Sequence, residues 1–308
     1  MTNTLQHTFS YSAFENYFRG NREEIKQRLS VYLPLVSLVP PLRMPPVLDI
    51  GCGRGEWLEL LEENYINSIG IDSHQEFIEY CRERDLAAEE ADLFDFLSVE
   101  REQRFSIITG FHLIEHIAPE KQLWFLDSIF RLLTPGGMVI LETPNPENVT
   151  VGSCNFYIDP THRRPVPPQL MHFLAIQAGF ASPLIARLNR HTVGAPLKLM
   201  AEDEACSALY NQLVHIISSR VLQAPDYALI AFKPPSPERA MLQAAAALNR
   251  LNDSFVLPPD TSGALKENPM NTITSGVRID SLNAYPEALR KTYHKLIKSR
   301  IEAGNETS

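Results

Sequence analysis

No unbroken apolar run in this chain is long enough to span a membrane: the most apolar stretch, residues 31 to 48, is cut by Pro34, Pro40, Pro41, Pro45 and Pro46. The opening residues, MTNTLQHTFSY, lack the charged start and apolar core of a secretory leader. Paired cysteines are missing as well. Cys52, Cys81, Cys154 and Cys206 lie far apart with no CxxC spacing, a pattern that argues against a zinc site or a disulfide framework and for a reducing compartment. Basic residues are in deficit, 28 Lys and Arg against 37 Asp and Glu for a net charge of -9, so the clustered positive charge that neutralises nucleic-acid phosphates is not supplied. The expectation is a soluble, cytoplasmic protein with no nucleic-acid partner and no transmembrane segment.

What is present is enough apolar material, 44% of 308 residues, to bury a full core and carry appendages. From Val47 to Phe232 short apolar runs alternate with amphipathic helices, the pattern of an α/β fold whose parallel sheet is covered on both faces. Strands are expected at VLDI, INSIGID (66 to 72), FSIITG (105 to 110), MVILET (138 to 143), PLIARL and YALIAF (227 to 232), with a turn at TPGG (134 to 137). Trp57, Leu60 and Leu61 mark the inner face of one helix, and Leu123, Leu126, Phe130 and Leu133 that of another. Ahead of the 45–235 domain, residues 1 to 44 read as an N-terminal helical lid or brace, with a helix from 12 to 33 that Pro34 kinks or ends. Behind it, residues 236 to 308 read as a helical extension: an alanine-rich helix near 237 to 252, a polar linker from 253 to about 284, and a basic amphipathic tail helix from Pro286. That tail is expected to be solvated or oligomer-forming; contact with a peripheral membrane surface or an assembly complex is the other reading.

In VLDIGCGRGE, Gly51, Gly53 and Gly55 let the backbone leave a strand sharply, approach a ligand without Cβ atoms and enter a helix. A purely structural strand-to-helix turn is the plainer alternative. Asp72, 17 residues past Gly55, ends the next strand, where a carboxylate accepts both hydroxyls of a ribose. Asp92, after the third strand, can receive an adenine amino group or cap a helix. Together these residues point to an adenosine-bearing ligand. Asp49 and Glu56 flank the turn and are expected to repel a diphosphate while suiting an ammonium and a sulfonium, and the GxGxG spacing departs from the dinucleotide GxGxxG. Charge complementarity therefore favours S-adenosylmethionine over a nicotinamide dinucleotide.

The segments VLDIGCGRGEWLELL, GID, AD, FHLIEHI and LLTPGGMVILETPNP resemble, in order and spacing, the motifs of class I S-adenosylmethionine-dependent methyltransferases over about residues 45 to 235. The resemblance implies a Rossmann-like seven-stranded sheet whose last strand runs antiparallel. It also implies cofactor contacts at Asp49, Gly51, Cys52, Gly53, Asp72, Ser73, Asp92, Leu93, Phe111 and His112. YFRGNREEIKQRLSVYLPLV and DPTHRRPVPPQLM are similar to segments of bacterial methyltransferases encoded with lipopolysaccharide O-antigen and other glycan assembly enzymes, which implies a sugar or glycan acceptor.

Methyl transfer is an in-line displacement in which alignment does most of the work, but a sugar hydroxyl must also lose its proton. In FHLIEHIAPE, His112, Glu115 and His116 recur at i, i+3 and i+4 and share one side if the turn is helical. His116 is the first choice as general base; a histidine satisfied by a backbone carbonyl is the alternative. The trio also resembles the Glu-x-x-Glu-His metal motif of ubiquinone-pathway O-methyltransferases, with His112 in place of the first glutamate, and on that departure no metal is expected. A second cluster, Tyr157, Asp159, His162, Arg163 and Arg164, lies in a proline-rich loop. His162 is a second base candidate with Asp159 beside it, and Arg163 or Arg164 a grip for an acceptor phosphate or acidic sugar, against a loop braced by Asp-Arg pairs. Arg19 and Arg22 either join the acceptor site or stay solvated. The expected function is O-methyl transfer to a sugar or glycan. The alternatives are methylation of a sugar phosphate, a quinone-type small-molecule O-methyltransferase and a non-catalytic cofactor-binding scaffold.

Overall fold

The strands expected from the apolar runs form, and in the computed structural model they assemble in one sheet. The structure describes residues 10–39, 47–99, 104–189, 197–235, 238–251 and 256–257; the tail helix expected from Pro286 lies outside them. The strands are β1 (Val47–Ile50), β2 (Ser68–Asp72), β3 (Ala88–Glu90), β4 (Phe105–Phe111), β5 (Leu133–Pro144), β6 (Ala181–Leu188), β7 (Leu197–Lys198), β8 (Asp226–Phe232) and β9 (Val256–Leu257). The helices are α1 (Tyr11–Phe18), α2 (Arg22–Leu29), α3 (Leu33–Val36), α4 (Glu56–Glu63), α5 (Gln75–Arg82), α6 (Leu93–Ser98), α7 (Pro119–Leu132), α8 (Val149–Ser153), α9 (Pro168–Ala178), α10 (Ser207–Arg220) and α11 (Glu238–Leu251).

The large sheet has seven strands in the order β3-β2-β1-β4-β5-β8-β6. All are parallel except β8, the last of them in the chain, which runs antiparallel to both β5 and β6. The chain starts in the middle at β1, moves outward to β3, then returns to lay β4 on the other side of β1. That reversal opens a crevice at the carboxyl ends of β1 and β4, where open α/β sheets take their ligands. The glycine turn and the Phe111–His112 corner therefore face each other by topology alone.

Both faces of the central strands β1, β4, β5 and β8 are dry, as their continuous apolar runs require, while β3 at the edge is largely exposed. On β5, Val139 and Leu141 enter one core with α7 and α9, while Met138 and Ile140 enter the other with Trp57, Leu61 and the N-terminal helices. On β8, Tyr227, Leu229 and Ala231 alternate in the same way with Ala228, Ile230 and Phe232. The N-terminal segment is anchored in the second core through Ile25, Leu29, Tyr32, Leu35 and Val36.

Four local expectations are corrected. Residues 12 to 33 do not form one helix: Gly20, at a φ of 95°, and Asn21, whose side chain accepts from Glu24 N–H, end α1 and start α2. Pro34 sits in the first turn of the short α3 rather than ending a helix, because proline's missing N–H costs nothing there. TPGG is not a free turn but part of β5, bent at Gly136 (φ 76°), whose N–H donates to Lys233 O; Lys233 N–H returns to Gly137 O. In the stretch read as a linker, Val256 and Leu257 form β9 and pair with Leu197 and Lys198.

Candidate active site

The glycine turn folds back on its own neighbourhood. Gly51 and Cys52 N–H both donate to Ile71 O at the end of β2, and Gly53 N–H donates to Asp72 Oδ2 at 3.0 Å. Gly51, Gly53 and Gly55 have φ values of 70°, 53° and 76°, a left-handed path that side chains resist. A Cβ on Gly53 would stand 3.1 Å from Arg19 Nη1, so the arginine that ends α1 lies directly over the turn. Its guanidinium is held by Glu15 at 2.9 Å.

A cavity of about 370 Å³ opens over this turn, lined by Gly51, Gly53, Asp72, Ser73, Asp92, Leu93, Phe111 and His112 among the expected cofactor residues. Tyr11, Glu15, Arg19, His74, Phe77, Leu113, His116, Thr161 and Arg163 also face it. Asp72 Oδ1 accepts from His74 N–H and its ring, so the carboxylate stands oriented at the pocket wall. Asp92 caps α6, accepting from Phe94 and Asp95 N–H through one oxygen. The helix-cap reading and the cavity position thus coexist.

Two expected contacts do not face the cavity. Cys52 is buried under the turn, where its thiol and that of Cys81 both approach Gly53 O, at 3.9 and 3.5 Å. Asp49 is 2% exposed and accepts from Thr109 Oγ1 at 2.7 Å; burial pushes its carboxyl up to about 7. Glu56, also buried, is paired with Arg54 at 2.9 Å and lies 3.9 Å from Arg22. The two acids flanking the turn therefore do not supply the free negative charge that their position in the sequence promised. The carboxylates that face the ligand space are Glu15, Asp72 and Asp92.

A second cavity, of about 440 Å³, adjoins the first: Tyr11, Glu15, Arg19, Phe111, His112 and His116 line both. Phe14, Phe18, Arg28, Glu142, Asn155, Ile158, Asp159 and His162 complete its walls. Of the expected acceptor residues, Arg19 is in both cavities and Arg163 only in the first, while Tyr157 and Arg164 are exposed outside them. Arg22 is a brace: it donates to Arg54 O and Gly55 O at 2.8 and 3.2 Å and pairs with Glu59. The Asp-Arg bracing of the loop is replaced by Tyr11, Thr161 and His162, the groups around Asp159.

The three histidines differ in their partners. His112, at a left-handed φ of 54°, is not on the helical turn that carries Glu115 and His116. Its ring lies 3.4 Å from Glu115 Oε1 and 3.3 Å from Glu142 Oε1. Burial alone would lower its pKa, but hydrogen bonding to Glu115 and Glu142 and the charge of Asp226 overcome this and push it up to about 10. It is an imidazolium at neutral pH and so cannot accept a proton, against the expectation that it shares the catalytic work. Tyr32 donates to the same Glu142, and Thr143 to the fully buried Glu115 at 2.9 Å. His116 is shifted downward by its burial, which outweighs the opposing charges of Glu115 and Asp159. Its Nδ1 lies 2.8 Å from Thr161 Oγ1. His162 Nδ1–H donates to Phe156 O at 2.6 Å, leaving Nε2 about equidistant from Glu115 Oε1 and Asp159 Oδ2, at 4.0 and 3.9 Å. Ligand-type atoms of Glu115, His116 and His162 lie within 4.8 Å of one another, as do those of His112, Glu142 and Asp226.

Sequence reasoning missed Tyr11, Glu15, Thr161 and Glu142. Glu142 was within reach, being the carboxylate at the end of an expected strand; Tyr11 meets Asp159 across 148 residues, which no local pattern announces.

Comparison with known proteins agrees with this geometry. The family described as a methyltransferase domain matches residues 17–220. The chain is 30% identical over 139 residues to the mitochondrial ubiquinone biosynthesis O-methyltransferase of Dictyostelium discoideum, covering 39% of this chain and 43% of that protein. It is 26% identical over 179 residues to a probable S-adenosylmethionine-dependent methyltransferase of Mycolicibacterium smegmatis, covering 58% and 64%. The chain thus spans less than two thirds of the length of these relatives. A solved SAM-dependent methyltransferase from Archaeoglobus fulgidus superposes with a TM-score of 0.65 at 31% identity, over 73% of this chain and 100% of that one. With the seven-stranded sheet, the glycine turn and the crevice above it, these matches settle the class: the chain belongs to the methyltransferase-domain family, and its fold is that of the S-adenosylmethionine-dependent enzymes.

Proposed function

We propose that this S-adenosylmethionine-dependent methyltransferase transfers the methyl group to a hydroxyl of a sugar or glycan, with His116 as general base. The observation that carries the reading is the place of His116, on the wall common to both cavities, with one ring nitrogen bound to Thr161 and the other without a hydrogen bond among the described residues. A cofactor bound over the glycine turn would be held by Asp72 and the bare backbone at Gly51 and Gly53, and would supply the methyl group for an acceptor in the adjoining cavity, with His116 on the wall common to both. The first cavity offers Asp72 to ribose hydroxyls and Arg19 to a carboxylate.

The acceptor cavity combines Tyr11, Phe14 and Phe18 with Glu15, Glu142 and Asp159, aromatic faces beside hydroxyl-accepting carboxylates, which suits a polyhydroxylated ring. Neither Arg163 nor Arg164 lines this space, so the cations that would meet a phosphorylated acceptor there are Arg19 and Arg28. The likeness of two segments to glycan-assembly methyltransferases points the same way, toward O-antigen-type substrates. A cytoplasmic location belongs to the same proposal; among the described residues no helix is long and apolar enough to cross a membrane.

A radiolabelled methyl group from S-adenosylmethionine is expected to appear as an alkali-stable ether on free, nucleotide-linked or oligomeric sugars. Transfer to a quinol or catechol alone, or to a phosphate oxygen, would sink the acceptor reading. His116→Ala is expected to lower turnover about 10²- to 10⁴-fold with S-adenosylhomocysteine affinity unchanged. Because the base must be unprotonated and its pKa is shifted downward, turnover should hold as pH falls to the ordinary imidazole value and decline only below it. A second reading has its own observation: Glu115, His116 and His162 present ligand-type atoms within 4.8 Å, a set that suits a divalent ion. Loss of activity on chelation, restored by one metal and not others, would favour that role over a free base.

A further inference from the structure

The loop that follows α8 returns to the active site, and four of its side-chain and backbone contacts bear on a single proton. Asp159 Oδ1 accepts from Thr161 Oγ1 at 2.6 Å and from Thr161 N–H at 2.8 Å. Its other oxygen accepts from Tyr11 OH at 3.1 Å, across 148 residues. Burial would raise the pKa of this carboxyl, but the two hydrogen bonds from Thr161 and the neighbouring histidines hold it below its ordinary value, so it is ionised and accepts only. Thr161 has one hydroxyl proton, and the carboxylate takes it. The same oxygen lies 2.8 Å from His116 Nδ1, so the proton between these two atoms must come from the imidazole.

We propose that Thr161 is a positioning residue: pinned by Asp159, its hydroxyl oxygen accepts Nδ1–H of His116 and so holds the ring, on the wall common to the two cavities, in the tautomer that leaves Nε2 bare. The inference rests on His116 as the proton acceptor and names what prepares it. The logic is that of a histidine whose role is set by the bond its second nitrogen makes. A hydroxyl between the imidazole and the carboxylate also keeps the negative charge one atom further away, so the ring is oriented without being held as a cation. His112, in direct reach of two carboxylates, shows the contrary outcome.

The test uses full-length protein labelled with ¹⁵N-histidine and saturated with S-adenosylhomocysteine, read by two-bond ¹H–¹⁵N correlation spectra, with His116→Gln supplying the assignment. The wild type and Thr161→Ser are expected to show His116 protonated on Nδ1 and bare on Nε2. Thr161→Val is expected to show a mixture of tautomers, and about a tenfold lower turnover with the ether-forming acceptor identified by the radiolabel assay, its KM unchanged. A proton on Nε2 in the wild type, or an unaltered Nδ1–H tautomer in Thr161→Val, overturns the proposal. Should Thr161→Val not fold, the wild-type and Thr161→Ser spectra decide alone. Full turnover in His116→Ala would sink the base assignment and leave the tautomer result standing, so the two failures are distinct.

Discussion

The two halves of the active site are built in opposite ways. The cofactor side is local: β1, the glycine turn, β2 and the start of α6 place Gly51, Gly53, Asp72 and Asp92 within 42 residues of one another along the chain. The acceptor side is assembled at long range, from α1, the end of β4, Glu142 on β5 and the loop at 155–162. The cofactor half needs bare backbone at Gly51, Gly53 and Gly55, whereas the acceptor half is a surface of side chains on loops, where specificity is set and changed. A common cofactor needs one geometry; acceptors differ, and the fold leaves that part to contacts remote in sequence.

The comparison is most severely tested at Gly55. A Cβ there would lie 2.8 Å from Cys81 Sγ and 2.9 Å from Leu86 Cδ1, on a backbone with φ 76°. Gly55→Ala is expected to cost on the order of 3 kcal/mol in chemical denaturation and to lose S-adenosylhomocysteine binding in calorimetry. A wild-type melt would show that the turn is not under this constraint. Next comes Arg22, which the sequence offers to the acceptor and the structure gives to the turn. Arg22→Met should remove about 1–3 kcal/mol of stability and weaken cofactor binding, with the acceptor KM unmoved. A raised acceptor KM at intact cofactor affinity would return it to the acceptor half.

His112 supplies a smaller effect with a definite sign. Its folded pKa is raised to about 10, above the imidazole's ordinary value, so its contribution to stability is full below about 6.5 and is lost as pH rises through about 10. The stability gap between wild type and His112→Gln should therefore shrink between those pH values; a constant gap would show that the ring is not held as a cation. The smallest effect is expected at Arg164, exposed and outside both cavities. Arg164→Ala should change neither stability beyond about 0.5 kcal/mol nor the acceptor KM.

The same contrast explains what could be read from the chain beforehand. VLDI and YALIAF are short apolar runs between turn residues, and each became a strand of the large sheet because continuous apolarity is what a strand buried on both faces demands. The glycines and Asp72 were legible because a sharp turn and the next strand end recur at a short, fixed spacing. TPGG misled because Gly136 bends β5 without ending it, a distinction set by the partner Lys233 nearly a hundred residues on. The break at Gly20-Asn21 was signalled locally, as a left-handed residue followed by a helix cap, and the apolar spacing of Ile25, Leu29 and Tyr32 obscured it. Cysteines with no pairing in the sequence meet in space at Gly53 O, since α5 lies against the turn.

By itself, then, the sequence determined the α/β architecture, the bare backbone bend and the acid at the end of β2, because apolar period, glycine and short spacing act through neighbouring residues. Only the tertiary structure decided charge and aim: that Asp49 is buried and Glu56 paired, that His112 is a cation between two carboxylates, and that His116 reaches Asp159 through Thr161. The physical reason is that protonation and orientation depend on solvent exclusion and on partners brought from distant strands and loops, and neither is encoded in the residue or its neighbours.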